Sequence, residues 1–250
     1  MIYIRSLLFQ VYFYASICFF ALTLALLSWV PYKKRFILAR WWGLSMLWVG
    51  RWLCGLRYQF EGLENIPHDP SVVLIKHSTV FETYAQLVVF PPHAWVLKRE
   101  LQWIPLFGWG LAAMRPIAIN RNAGHTAVTQ VIEQGTARLK DGIWVNIFPE
   151  GTRMLPGKTR KYGISGAALA QRAGVKVVPV AHNAGDLWVR RGITRTPGLI
   201  RFIVGPPIDA STQSPKETNQ MAQDWVESKM AEISPKAYSS VAADDSGSAD

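Results

Sequence analysis

The residues best equipped for chemistry stand together at Lys76-His77-Ser78-Thr79-Val80-Phe81-Glu82, directly after a short run of aliphatic residues. An imidazole whose Nδ1–H is held by a carboxylate keeps Nε2 free to take a proton from a hydroxyl. His77 and Glu82 are five positions apart, and five residues of helix turn a side chain about 140° from its start. The two meet only if His77 stays in a loop while Glu82 lies in the first turn of a helix, so the pairing predicts a strand-to-helix junction between them. The same stretch has a purely structural use, because Thr79-x-x-Glu82 is a capping-box pattern for that helix. Ser78 offers a hydroxyl beside the histidine. It lacks the Gly-x-Ser-x-Gly elbow, however, and adjacent loop residues do not readily align for proton transfer. Lys76 reads as a solvated charge.

A second group, Phe148-Pro149-Glu150-Gly151-Thr152-Arg153, leaves an apolar strand, turns at the glycine and presents an acid, a hydroxyl and a guanidinium together. The planar fork of Arg153 suits phosphate oxygens and Thr152 adds a donor, while Glu150 can orient the arginine or accept from a hydroxyl. An ordinary turn with Arg153 on the surface would read the same way. In Arg115-Pro116-Ile117-Ala118-Ile119-Asn120-Arg121 a strand closes on a guanidinium able to make a further phosphate contact. Val177-Val178-Pro179-Val180 reads as a strand ending in proline, a strand-end or edge feature.

The elements that would position these groups begin after Arg57, where short β-branched runs alternate with helical stretches. Strands are expected at Val72 to Lys76, Ala94 to Leu97, Pro116 to Ile119, Trp144 to Phe148, Val175 to Val180 and Ile200 to Val204. Helices are expected at Thr79 to Val89, Thr126 to Leu139, Gly166 to Arg172 and Pro215 to Ile233. This alternation implies an α/β domain, a mixed and mostly parallel sheet flanked by helices, over residues 58–238. The small, polar, acidic residues 239–250 read as a disordered tail.

Residues 1–57 have a different character. Ser6 to Val30 is apolar and uncharged, longer than the roughly 20 residues that cross a bilayer. It lacks a small-x-small cleavage site and runs straight into Pro31-Tyr32-Lys33-Lys34-Arg35, so it reads as an anchor rather than a cleaved signal. Lys33, Lys34, Arg35 and Arg40 outweigh Arg5 on the other flank, which places the rest of the chain in the cytoplasm. Phe36 to Leu56 carries Trp41, Trp42, Trp48 and Trp52, with Arg40 and Arg51 about three helical turns apart, the pattern of a helix lying in the membrane interface. A second span is the alternative for this segment.

The 250 residues carry a net charge of +10, with lysine and arginine spread along the chain. That suits an anionic membrane surface, where each cation gains about 1 kcal/mol, better than nucleic acid, for which no basic tail is present. Cys18 and Cys54 are too few for a disulfide framework or a cysteine-based zinc site.

Taken in order, these pieces resemble the glycerophospholipid acyltransferase family, most closely the bacterial 1-acylglycerol-3-phosphate acyltransferases. His77 and Glu82 are similar to a first block, His-x4-Asp; Gly110 to Arg121 to a second; Phe148 to Arg153, the most specific match, to a third; Val178-Pro179-Val180 to a fourth. Glu82 stands where aspartate is usual, and Lys76 where asparagine often precedes the histidine. The resemblance implies the family's sheet-and-helix fold with a membrane-binding end. It also implies transfer of an acyl group from acyl carrier protein or coenzyme A to the 2-hydroxyl of lysophosphatidic acid, giving phosphatidic acid at the bacterial inner membrane. In that scheme His77 is the general base, oriented by Glu82. Arg121, Glu150, Gly151, Thr152 and Arg153 form the glycerol-phosphate site, and neither metal, cofactor nor acyl-enzyme takes part. The acceptor could equally be glycerol-3-phosphate or another lysophospholipid. From outside the family come a hydrolase built on Ser78 and a basic membrane-docking adaptor without catalysis.

Overall fold

Val72, Val73, Leu74 and Ile75 are wholly buried, and so continuous an apolar run fits a strand covered on both faces. Side chains alternate along a strand, and here they feed two cores. Val73 and Ile75 pack with Met46, Phe81, Tyr84 and Phe202, whereas Val72 and Leu74 pack with Val131, Leu169 and Ala222. The strand is therefore the middle of a three-layer sandwich. The computed structural model describes residues 1–120, 124–188 and 192–238 of the chain.

In chain order the strands are β1 (Leu56–Glu61), β2 (Val72–Ile75), β3 (His93–Lys98), β4 (Ile117–Ile119), β5 (Trp144–Ile147), β6 (Lys176–His182), β7 (Gly198–Val204) and β8 (Ile208–Asp209). The longer helices are α1 (Ile2–Leu26), α2 (Tyr32–Cys54), α3 (Phe81–Val89), α4 (Phe107–Ala113), α5 (His125–Lys140), α6 (Ser165–Ala173) and α8 (Pro215–Ile233), with a single turn, α7 (Ala184–Leu187), after β6. The sheet order is β1-β7-β6-β2-β5-β3-β4, with β8 beside β6. From β6 to β4 the pairings are parallel; β7 and β8 meet β6 antiparallel, and β1 runs parallel to β7. The expected mixed, mostly parallel sheet is the one observed.

Two expectations change. β6 continues through Pro179 to His182 instead of stopping at the proline. The strand tolerates it where its second partner changes, since Lys176 and Val177 pair with β8 while Val180 to His182 pair with β7. Strand β1 and helix α4 lie in stretches for which the sequence pattern had suggested no element. β1 alternates its burial only weakly and α4 spans seven residues, so neither carries a clear period.

The first two helices form an antiparallel pair. Trp42 donates from Nε1 to Ser16 Oγ at 3.1 Å, and Phe9 lies against Gly50. α2 then packs on α3, with the Tyr84 carbonyl close above Gly43. α1 is long and apolar enough to cross a membrane, but it is not a detached leader. Near its start Ser6 Oγ accepts from the Arg195 N–H, and near its end Ala21 abuts Gly110 of α4. Protein thus flanks one side of α1 over about 22 Å of its length. The opposite faces are apolar stripes at helical spacing. Ile4, Leu7, Leu8, Val11, Phe19 and Leu22 are exposed on α1, as are Ile37, Trp41, Leu44, Trp48 and Trp52 on α2. Arg40 and Arg51 are also exposed on α2.

A Cβ at Gly110 would stand 2.4 Å from the Ala21 Cα. Backbone cannot yield as a flexible side chain can, so this clash outweighs the helix-propensity gain of about 0.5 kcal/mol or less that valine has over glycine. Gly110→Val is expected to lift α1 from α4, seen as a lower Tm and faster chymotryptic cleavage between residues 3 and 26. Unchanged cleavage would show that the contact is dispensable.

Candidate active site

Strands β5, β2 and β6 are parallel neighbours, so the segments leaving their C-terminal ends emerge side by side, where α/β sheets place their sites. β2 delivers His77, β5 delivers Phe148 to Arg153, and β6 ends at His182. The chain between β2 and α3 stays in loop conformation through Val80, and α3 opens at Phe81. His77 is therefore in the loop and Glu82 in the first helical turn, as their spacing requires.

His77 Nδ1 and Glu82 Oε1 are 2.8 Å apart. The carboxylate is fully buried and collects further donors: the backbone N–H of Ser78 at 2.8 Å, that of Thr79 at 2.9 Å, and the Thr79 hydroxyl at 2.7 Å. The expected capping box forms only by half, since Val80 is the N-cap and no side chain caps it, but the acid that accepts the junction's N–H groups is also the acid that holds the histidine. Burial by itself would raise the Glu82 pKa. The neighbouring imidazoles of His182 and His77 and the donated hydrogen bonds overcome this and lower it to about 2. An ionised acceptor makes His77 Nδ1 the protonated nitrogen. Nε2 then has no partner among the described residues and belongs to a ring that lines the cavity. Phe148 stacks on the imidazole at 4.1 Å between centroids and 14° between planes, fixing its orientation.

Glu150 is turned inward. Its residue is 3% exposed, one oxygen lies 2.8 Å from Lys76 Nζ, and the other accepts the His77 N–H at 3.0 Å. Lys76, read from sequence as solvated, is 1% exposed. It also bonds Glu227 of α8 at 2.8 Å and the Lys158 carbonyl at 3.0 Å. Burial pushes the Glu150 carboxyl up against the opposing pull of Lys76 and the His77 N–H. The Met154 N–H donates to the His77 carbonyl at 2.7 Å. The loop after β5 therefore grips the His77 backbone from both sides, and in this arrangement Glu150 braces the histidine rather than projecting toward a ligand. No sequence pattern marked Lys76 or Glu227, because their pairing joins residues 151 positions apart.

Gly151 makes the turn with φ +69° and nothing within 4 Å of a would-be Cβ. Thr152 is partly exposed beside it. Arg153 lines the same cavity as His77 and has no hydrogen bond or ion pair among the described residues. Arg121, the other expected phosphate contact, lies outside the described residues. The cavity holds about 770 Å³. Its walls are mainly apolar, including Phe13, Ile17 and Phe20 of α1, Trp42 of α2, and Leu97 and Met114. Such a space fits a hydrocarbon chain whose polar end meets His77 and Arg153.

Comparison with known proteins places this arrangement. Residues 57–183 match the acyltransferase family. The chain is 45% identical over 206 residues to a 1-acyl-sn-glycerol-3-phosphate acyltransferase of Pseudomonas aeruginosa, covering 81% of this chain and 80% of that protein. It is 26% identical over 176 residues to the protein of the same name from Borreliella burgdorferi, covering 69% of this chain and 70% of that one. Its fold superposes with a TM-score of 0.77 on the crystal structure of the 1-acyl-sn-glycerophosphate acyltransferase PlsC of Thermotoga maritima, at 25% identity, over 93% of this chain and 98% of that chain.

Glu82 is held below its usual 4.5, so the stability it contributes is fully present above about 4.5 and is lost as pH falls toward about 2. Glu82→Gln, which cannot ionise, is expected to trail the parent in urea midpoint near neutrality, with the gap closing across that window. A gap that persists to the acid end would mean the carboxylate charge is not what stabilises the junction. Lys76→Met leaves Glu150 buried without its cation and is expected to cost about 3 kcal/mol. Adding Glu150→Gln should recover part of that loss in the same denaturation measurement, and strict additivity would deny the coupling.

Proposed function

This chain belongs to the acyltransferase family, and from that premise we propose that it transfers a fatty acyl group from a thioester to the 2-hydroxyl of 1-acylglycerol-3-phosphate, forming phosphatidic acid. The supporting observation is the His77–Glu82 contact opening on a cavity that also presents Arg153. His77 Nε2 takes the proton from the lysolipid hydroxyl as its oxygen attacks the thioester carbonyl carbon, while Glu82 stabilises the imidazolium that forms. The tetrahedral intermediate collapses with cleavage of the carbon–sulfur bond, and the imidazolium returns the proton to the leaving thiolate. Written this way, the reaction needs neither a metal nor an acyl-enzyme. Arg153 pairs with the acceptor phosphate, and the apolar walls hold the acyl chain and keep water from the thioester.

The long apolar helix α1 fits membrane association. We place the enzyme at the inner membrane of a bacterium with its site on the cytoplasmic side, where acyl carrier protein and coenzyme A thioesters are found. Exposed stripes on α1 and α2 then meet lipid, and a lysolipid reaches His77 without leaving an apolar environment.

The test is an acceptor panel with purified protein, supplying 1-acylglycerol-3-phosphate, glycerol-3-phosphate and other lysophospholipids with each class of thioester. Phosphatidic acid is the expected product, and His77→Ala is expected to lower the rate by about 10²- to 10⁴-fold. Free fatty acid without a new lipid would reject acyl transfer in favour of hydrolysis. Full retention of function in His77→Ala would favour the docking adaptor.

A further inference from the structure

β6 carries its last residue, His182, to the same end of the sheet as His77, because β6 and β2 are adjacent and parallel. The ring is completely buried and parallel to the Phe202 ring, 8° between planes and 5.9 Å between centroids. Nε2 lies 2.8 Å from the carbonyl oxygen of Lys76, and Nδ1 faces the Ala184 N–H at 3.4 Å. A carbonyl can only accept and an N–H can only donate, so the two contacts specify a neutral ring protonated on Nε2. Burial disfavours the charged form as well. Nε2 is also 3.6 Å from Glu82 Oε2, too far for a hydrogen bond but close enough for the partial positive charge of its N–H to favour the carboxylate.

Glu82 therefore sits between two imidazoles, one facing the cavity and one locked behind it. A merely satisfied core histidine would need only its own donor and acceptor. This one donates its N–H to the carbonyl immediately before His77 in the chain and sets the same nitrogen 3.6 Å from the acid that holds the His77 ring.

We propose that His182 is a positioning residue for acyl transfer, steadying the Glu82 carboxylate and the Lys76 carbonyl on either side of the base. The proposal rests on the acyltransferase reading above. Among the described residues, the charged or titratable groups around the base are Glu82 from α3, Lys76 at the end of β2, Glu150 and Arg153 from the loop after β5, His182 from β6, and Tyr14 and Arg195 on the cavity wall. Only His182 is altered in the test. Removing the partial positive charge of its N–H leaves Glu82 holding a protonated His77 more tightly, so the base gives up its proton at higher pH.

His182→Gln can place its amide nitrogen where Nε2 stood, whereas His182→Asn reaches only the Nδ1 position. For the asparagine variant kcat should fall by about 10- to 100-fold with KM for the thioester unchanged. The acid limb of its kcat/KM profile should move up by about one unit. Glutamine should restore both. A limb that stays in place while only Tm falls assigns His182 a structural role and overturns the proposal, as does a glutamine variant no better than asparagine. Should the asparagine variant not fold, ring-nitrogen NMR of the parent protein decides. The His182 Nε2 signal should shift across the activity limb while keeping its neutral form, and a signal blind to that limb overturns the proposal. If the parent transfers no acyl group, the reading beneath fails; the NMR coupling between the two rings is still measured independently of activity.

Discussion

An ionised carboxylate buried without exposure to water is the constraint around which this site is built. Glu82 keeps its charge because the backbone between β2 and α3 turns its N–H groups inward, the Thr79 hydroxyl joins them, His77 supplies a further donor, and the His182 imidazole stands close behind. Each donor alone is worth little net in water, but withdrawing any of them from a buried charge exposes the full desolvation cost. The junction that orients His77 is thus the same structure that makes the acid tolerable. Glutamate in place of the family's usual aspartate is accommodated because its oxygens still reach both the loop amides and the imidazole.

A second buried charge cluster supports the first from behind. Lys76 joins Glu150 and Glu227, linking the strand before His77 to the loop after β5 and to α8. Asparagine, common in the family at this position, has no charge to pair with Glu150; lysine brings a counter-ion and draws α8 into the support of the site. The buried acid is thereby compensated while its second oxygen holds the His77 N–H. The placement of His77 accordingly depends on packing far beyond the loop that contains it.

The N-terminal helices serve the same cavity from the other side. α1 is both a wall of the space beside His77 and, on its opposite face, an exposed apolar stripe. Close approach of Ala21 to Gly110, two small residues, lets the helix lie against the domain with its larger side chains on the outer face and along the cavity. The exposed apolar stripe and the apolar-walled cavity are two sides of one helix.

Local chemistry made much of this legible in the sequence. The His77–Glu82 spacing demanded a strand-to-helix junction, β-branched runs marked the central strands, and the helix expected at Pro215 to Ile233 is α8. These signals act within a few residues, where steric and hydrogen-bonding rules are nearly context-free. What the sequence left open depended on register between distant segments. Lys76 reads as a surface charge until α8 brings Glu227 to it; Glu150 reads as a ligand for substrate until the parallel pairing of β5 with β2 sets it under the His77 amide. His182 carries no motif and gains its position solely from the pairing of β6 with β2. Burial is a property of the assembled layers, and only the tertiary structure could decide which charged side chains would be taken out of water and by whom they would be met.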